Sequence, residues 1–127
     1  MAIKMEGWPL VTIKFTGPSH HNEALAWLDQ LSMLLTRKSA FVVIVETTDD
    51  SRFDQSSRKA QGLWFKAHRE LLGDYCKGVA RVLRCEDDFD RVAGPLMQQA
   101  MPFPLFASVE QEEITAWAHQ QLVNNGL

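Results

Sequence analysis

Acidic side chains are the chemistry-bearing residues that gather most densely in this chain, in two segments. Asp49 and Asp50 follow the apolar run at 41–45, and Asp87 follows the apolar run at 79–83. If both runs are strands of one parallel sheet, these carboxylates lie at its carboxyl edge, where open α/β folds commonly bind ligands. Oxygen-rich clusters can hold Mg²⁺, so a magnesium-dependent enzyme is one hypothesis. The helix dipole also favours acidic residues near helix N-termini, without any metal.

The other signatures of catalysis are missing from the sequence. It contains no glycine-rich phosphate loop and no GxSxG, HExxH, CxxC or GxGxxG motif. Its histidines have no visible partner at a chelating spacing, which is typical of surface or boundary histidines. We therefore name no catalytic residue and expect no bound metal and no cofactor.

Aromatic residues are a third feature with two interpretations. Trp27 and Trp64 lie in segments whose apolar residues have helical spacing, and Phe65 follows directly. Large aromatic residues at such spacing most often pack in a core. They can also border a cavity for an apolar molecule between helices and a sheet.

The two cysteines, Cys76 and Cys85, stand at opposite ends of a segment whose middle reads as a strand. Nine residues of extended chain span ~30 Å, whereas a disulfide needs Cα atoms within about 7 Å. The two cysteines therefore cannot pair with each other. Reduced thiols are typical of a cytoplasmic protein.

The elements that must position these residues alternate between strand and helix. Period-two or uninterrupted apolar runs predict strands, and apolar residues recurring every three or four positions predict helices. The predicted strands cover 3–5, 9–15, 41–45, 79–83 and 105–107, and the predicted helices cover 20–38, 56–73, 87–96 and 108–122. This order predicts an α/β fold, with a mainly parallel sheet of about five strands covered by four helices.

Three details refine these elements. The unbroken apolar run at 41–45 is typical of a strand covered on both faces. Pro95 limits the regularity of the third helix, because proline lacks a backbone N–H. Ser108, with Gln111 three residues later, has the spacing of a capping box at the start of the last helix.

Length and composition limit the class of protein. The 127 residues, of which 46% are hydrophobic and 23% charged, predict one globular domain over 1–127 and exclude a disordered chain. The net charge of −3, without a basic stripe, argues against a nucleic-acid partner. No apolar run reaches the ~18 residues of a membrane span. The first ten residues lack the apolar core of a signal peptide, so we expect a cytoplasmic location.

The order of elements and the loop chemistry resemble those of STAS domains, the fold of bacterial anti-sigma-factor antagonists, and their SpoIIAA-like relatives. The resemblance runs from Val11 to Leu122, and Gly17 stands where the family tends to place a glycine after its second strand. The stretches that carry it are FVVIVETTDDSRFDQSSRKAQGLW, VARVLRCEDDF and PFPLFASVEQEEITAW. The first is similar to the family's apolar strand, acidic loop, aspartate-serine pair and long second helix.

The resemblance implies a non-enzymatic regulator that binds a protein partner, such as an anti-sigma factor or a kinase-like protein. In the family, a serine at the start of the second helix is phosphorylated, which switches partner binding. Ser56 and Ser57 stand in that place after Asp54, with Gln55 interrupting the aspartate-serine pair. A phosphate there would meet the positive end of the helix and add up to about two negative charges. A serine that only caps the helix is the other interpretation.

The resemblance also leaves two kinds of binding function open. A protein partner would dock at the edge of the second helix, for which the candidate residues are Asp49, Asp50, Arg58 and Trp64. The alternative is a small-molecule or lipid-binding protein, since some SpoIIAA-like relatives are thought to share a fold with lipid carriers. Trp27, Trp64 and Phe65 would then border the apolar pocket. An exposed sheet edge would permit either a monomer or a homodimer.

Overall fold

The computed structural model describes residues 3–48 and 50–126. The elements in chain order are β1 (Ile3–Glu6), β2 (Leu10–Phe15), β3 (Pro18–Ser19), α1 (His21–Leu35), β4 (Phe41–Thr47), β5 (Arg52–Phe53), α2 (Gln55–Tyr75), β6 (Cys76–Val82), a 3₁₀ turn (Glu86–Asp88), α3 (Phe89–Ala93), α4 (Pro95–Ala100), β7 (Leu105–Ser108) and α5 (Gln111–Asn124). Strand and helix alternate as the apolar periodicity predicts.

A five-stranded sheet forms the centre of the fold, in the spatial order β1-β2-β4-β6-β7. β1 runs antiparallel to β2, and the other neighbouring strands are parallel. The predicted α/β fold with a mainly parallel five-stranded sheet is therefore confirmed. The short strands β3 and β5 form a separate parallel ladder that pairs Pro18 with Arg52. This ladder joins the two segments that leave β2 and β4 at their carboxyl ends.

Helices cover both faces of the sheet, and β4 lies between them. Val43 and Val45 pack toward α1 and α2, whereas Val42 and Ile44 pack toward α5. Successive side chains of a strand point to opposite faces. A strand covered on both sides therefore needs apolar residues at consecutive positions, which explains the unbroken run at the start of β4.

The third predicted helical segment is divided into shorter pieces. A 3₁₀ turn leads into α3, which ends at Ala93, and α4 begins at Pro95. Proline is well suited to the first turn of a helix, where its missing N–H has no partner within the helix. Pro95 therefore starts a new helix here.

The ends of α2 and α5 differ from the prediction. α2 continues through Gly73 to Tyr75 and leads directly into β6, so Gly73 does not end it. The predicted capping box at Ser108 is wrong, because α5 begins one residue after Glu110. The Ser108 hydroxyl instead accepts a hydrogen bond from the Glu110 backbone N–H at 3.0 Å and donates to Glu113 at 2.9 Å.

Candidate functional site

A cavity of about 360 Å³ lies between the sheet and the helices α1 and α2. Its floor includes Ile13, Val43 and Val79 from three neighbouring strands, and its roof includes Leu31 and Trp64 from the two helices. Trp27 and Phe65, two of the possible cavity residues predicted from the sequence, line it as well. This face of the sheet is covered but not filled.

Aromatic side chains and one hydrogen bond hold the roof of the cavity together. Trp27 on α1 packs edge-on against Phe15, with ring centroids 5.1 Å apart, and stacks on Phe53 at 6.2 Å. On α2, the Trp64 indole N–H donates a hydrogen bond to the Ser32 hydroxyl of α1 at 2.9 Å. This bond joins the two helices, so the roof is one connected layer.

Polar groups line the cavity among its apolar residues. Arg81 near the end of β6 is half-buried, and Gln61 on α2 lines the same space. Burial lowers the pKa of the Arg81 guanidinium and nearby Arg91 lowers it further, while Asp88 raises it. An arginine nevertheless stays charged at neutral pH. Nε2 of Gln61 and Nε1 of Trp27 are buried, with no hydrogen-bond partner in residues 3–48 and 50–126.

The predicted serine site lies at the first turn of α2, where Asp54 is the N-cap residue. Its carboxylate accepts hydrogen bonds from the Ser57 backbone N–H at 2.8 Å and from the Ser56 hydroxyl at 3.1 Å. The side chain and backbone N–H of Ser57, together with Ser56, lower the pKa of the Asp54 carboxyl. Ser56 is exposed, whereas Ser57 is 0% exposed. Of the two hydroxyls, that of Ser56 is open to solvent.

The residues named for a partner-binding edge occupy different environments. Asp50 is exposed, and the Thr48 hydroxyl that donates to its carboxylate at 2.7 Å is the main cause of its lowered pKa. Arg58 is exposed on α2. Trp64 lines the cavity, and Asp49 lies outside the described residues.

The acidic loops do not form a metal site in the part of the chain that the structure describes. No group of three or more His, Cys, Asp and Glu residues there could hold a metal ion. Asp87 is exposed, and Asp88 pairs with Arg91 at 3.3 Å. The magnesium hypothesis also included Asp49, which lies outside the described residues.

Arg81 and Gln61 are not among the site residues predicted from the sequence. Arg81 carries a usable signal, because a charged residue at the centre of the apolar segment VARVL has to be partly buried or paired. Gln61 carries none, since a glutamine on an amphipathic helix is ordinary. Only the packing of α2 above the sheet decides that Gln61 lines the cavity.

Comparisons with known proteins support the fold. No protein-family model matches the chain, and no curated protein matches its sequence. Among solved structures, it is similar to an uncharacterized protein of the DUF3478 family with a SpoIIAA-like fold from Shewanella loihica PV-4. The TM-score is 0.71 at 14% sequence identity, over 92% of each chain. This chain therefore has a SpoIIAA-like fold, and the resemblance seen in the sequence is confirmed at the level of the fold.

One further finding concerns membranes. Among the described residues, none of the helices combines the length and the apolar character needed to cross a bilayer.

Proposed function

We propose that this protein is a binding module that holds an apolar small molecule or lipid chain in the cavity below α1 and α2. The observation that carries the proposal is the cavity itself, about 360 Å³ in volume and lined mainly by hydrophobic side chains. Ligand sites commonly measure ~300–1,000 Å³ and are mostly apolar, whereas ordinary protein interiors leave few voids larger than a water molecule. Since a water molecule takes up ~30 Å³ in the liquid, the cavity has room for about a dozen ligand atoms.

Titration with 1-decanol, a neutral molecule of about this size, tests the proposal. Trp27 and Trp64 line the cavity, so their fluorescence reports on its occupation. We expect a saturable change in emission together with a higher melting temperature. A ligand that binds only the native state raises the free energy of unfolding, by ~2.7 kcal/mol at one hundred times its Kd.

Two matched variants locate the site. Val79→Phe places a ring in the cavity and is expected to abolish binding of 1-decanol. Val123→Phe adds the same ring at a position that is 64% exposed on α5 and is expected to bind like the unaltered protein. If neither 1-decanol nor decanoate binds the unaltered protein saturably, the proposal is wrong.

A second candidate function is a regulatory module that binds a protein partner, of anti-sigma-factor or kinase-like type, along the edge of α2. It is supported by the exposed Ser56 hydroxyl beside the N-cap Asp54, and by the SpoIIAA-like fold. A phosphate on Ser56 would lie near the backbone N–H groups at the helix start and add up to about two negative charges there. Ser57 is buried, so it could be modified only after this turn of α2 opens.

Mass spectrometry of the protein gently isolated from its own cells separates the two functions. One phosphate mapped to Ser56 or Ser57 supports the switch, and a small molecule bound in a one-to-one ratio supports the cavity. For a partner isolated in this way, Ser56→Asp is compared with the matched Ser56→Ala. Equal affinity of both variants for that partner would exclude a switch at Ser56.

A further inference from the structure

We infer that the ligand of this cavity carries a carboxylate group, which Arg81, Gln61 and Trp27 bind at one end while an apolar chain fills the rest. This inference rests on the proposed function, because it names the class of molecule that the cavity takes.

The register of the sheet places Arg81 on the cavity face. Val45 of β4 pairs with Arg81, and Val43 pairs with Val79 two residues earlier. Positions two apart on a strand share a face, so Arg81 lies on the same side as Val79. Arg81 lines the cavity and makes no ion pair with any described residue. Asp88 raises its pKa, but Asp88 is itself paired with Arg91.

The polar atoms without partners at the cavity are all donors. Nε2 of Gln61 and the indole Nε1 of Trp27 are buried, with no acceptor among residues 3–48 and 50–126, and the Arg81 guanidinium is also donor-only. Leaving buried donors unpaired is unfavourable. A group that only accepts hydrogen bonds and carries a negative charge complements all three, and a planar carboxylate also fits the fork of an arginine.

The cavity has a direction that suits such a ligand. It extends along β4 from Phe41 to Thr47, which at ~3.3 Å per residue is about 20 Å. Arg81 stands near the carboxyl end of β6, whereas Cys76 begins that strand and lines the other end of the cavity. Gln61 and Trp27 lie in the N-terminal halves of α2 and α1, which follow strand ends at the carboxyl edge. The carboxylate is therefore expected at the carboxyl edge, with the chain directed toward Cys76.

The volume of the cavity determines the size of the probe molecules to be used. About a dozen atoms fit at ~30 Å³ each, and decanoate has this size with one carboxylate. 1-Decanol and decylamine have the same chain with a neutral or a cationic head. We expect the Kd of decanoate to be at least about tenfold lower than that of 1-decanol, and decylamine to bind most weakly, because only decanoate has a charge complementary to Arg81.

Substitutions of Arg81 and Gln61 test whether these residues bind the carboxylate head group. Arg81→Gln is expected to raise the Kd of decanoate about tenfold while that of 1-decanol stays within about twofold, since a charge-assisted contact is lost only for the acid. Gln61→Leu is expected to raise the Kd of decanoate by about threefold. Lys66→Gln removes an exposed charge from α2 and serves as the matched control, with no change for either probe.

The outcomes distinguish this inference from the proposed function. Equal Kd values for decanoate, 1-decanol and decylamine would overturn the carboxylate inference while leaving the cavity as a binding site. If none of the three binds, the proposed function fails and the inference with it. The comparison of the three probes uses the unaltered protein, so it decides the question even if Arg81→Gln does not fold.

Discussion

The two faces of the sheet are packed in opposite ways. On the α5 face, Val42, Ala80, Ile114 and Ala118 are fully buried, and the helix lies directly on the strands. On the α1/α2 face, Leu35 and Leu72 of the helices are buried in one cluster with Val43 of the sheet, but a cavity of about 360 Å³ remains between the helices and the strands. Small side chains allow a helix to approach a sheet closely, whereas the aromatic residues on the other face form walls around an open space. The α5 face is therefore filled, whereas the α1/α2 face contains the space in which we propose that a ligand binds.

Gly78 shows how closely α5 approaches the sheet. A Cβ atom at this position would lie 2.6 Å from Cη2 of Trp117, which is too close for two carbon atoms that are not bonded to each other. Trp117 cannot easily move away, because it stacks on Phe106 with ring centroids 5.3 Å apart. This part of the α5 face has no room for an additional atom.

The largest effect is expected from truncation on the α5 face. Ile114→Ala should lower the free energy of unfolding by about 3–5 kcal/mol, because it creates a cavity in a filled core. Leu31→Ala, at a half-buried residue that already borders the cavity, should cost about 1–2 kcal/mol, mainly the transfer of the lost methyl groups. Urea unfolding measures both. Equal losses would show that the two faces are packed alike.

Larger side chains at Val79 and Ala80, which lie on opposite faces of the sheet, also test the difference in packing between the two faces. Ala80→Leu places extra atoms on the filled α5 face and should destabilise the protein by about 1–3 kcal/mol. Val79 lines the cavity, so Val79→Leu adds atoms where there is space. It should change the free energy of unfolding by less than about 1 kcal/mol. Thermal and urea unfolding of the two variants measure these changes in the free energy of unfolding. A larger loss for Val79→Leu would mean that the cavity has no spare volume.

The start of α2, which supports the cavity roof, should make stability depend on pH. The pKa of Asp54 is lowered from 3.8 on folding, chiefly by Ser57. Its stabilising effect is therefore present above the unfolded pKa and is lost as the pH falls through the folded pKa. Asp54→Asn keeps an N-cap side chain but removes the charge. We expect the unaltered protein to have the higher urea midpoint at neutral pH, and the difference to decrease as the pH falls through the folded pKa of Asp54.

The pKa of Asp50 is also lowered, but Asp50 is present in both proteins. Its contribution to the pH dependence of stability therefore cancels in the comparison. A difference between the two proteins that stays constant from neutral to acidic pH would show that the Asp54 charge does not stabilise the helix start.

The smallest effect concerns access to the cavity through its cysteine. Cys85 is exposed, whereas Cys76 is buried at the cavity end, and burial raises the pKa of its thiol to about 12. Because the thiolate is the reactive form, Ellman's reagent should modify Cys85 quickly and Cys76 only after denaturation. The Cys85→Ser variant should then show no fast reaction. Fast labelling of that variant would mean that the cavity opens to solvent at Cys76.

Some local features were predictable and others were not, for identifiable reasons. The unbroken apolar run of β4 predicted a strand covered on both faces, because burial on each side requires apolar residues at successive positions. The capping box at Ser108 was wrong, because Glu110 precedes the first residue of α5 and Ser108 lies outside the helix. The division of the third helical segment at Pro95 depended on whether proline would bend a helix or begin one, which spacing does not reveal.

Only some residues of the candidate site could be predicted from the sequence. The resemblance to SpoIIAA-like relatives allowed Trp27, Trp64 and Phe65 to be named as possible cavity residues, and they line the cavity, whereas their helical spacing alone favoured core packing. The donors that we assign to the ligand include Arg81 and Gln61, which came from the structure. The burial of Ser57 beneath the first turn of α2 was equally invisible, because a serine at a helix start is exposed or buried according to what packs against it.

By itself, the sequence determined the α/β class, the order of the elements and the mainly parallel sheet, because apolar periodicity reports which faces of a segment are buried. Only the tertiary structure decided that α5 lies directly on the sheet while α1 and α2 enclose a cavity, and that Arg81 faces this cavity. These properties depend on distances between side chains that are remote along the chain. Such distances are set by the combined volumes of packed residues, which the spacing of residues within one segment does not contain.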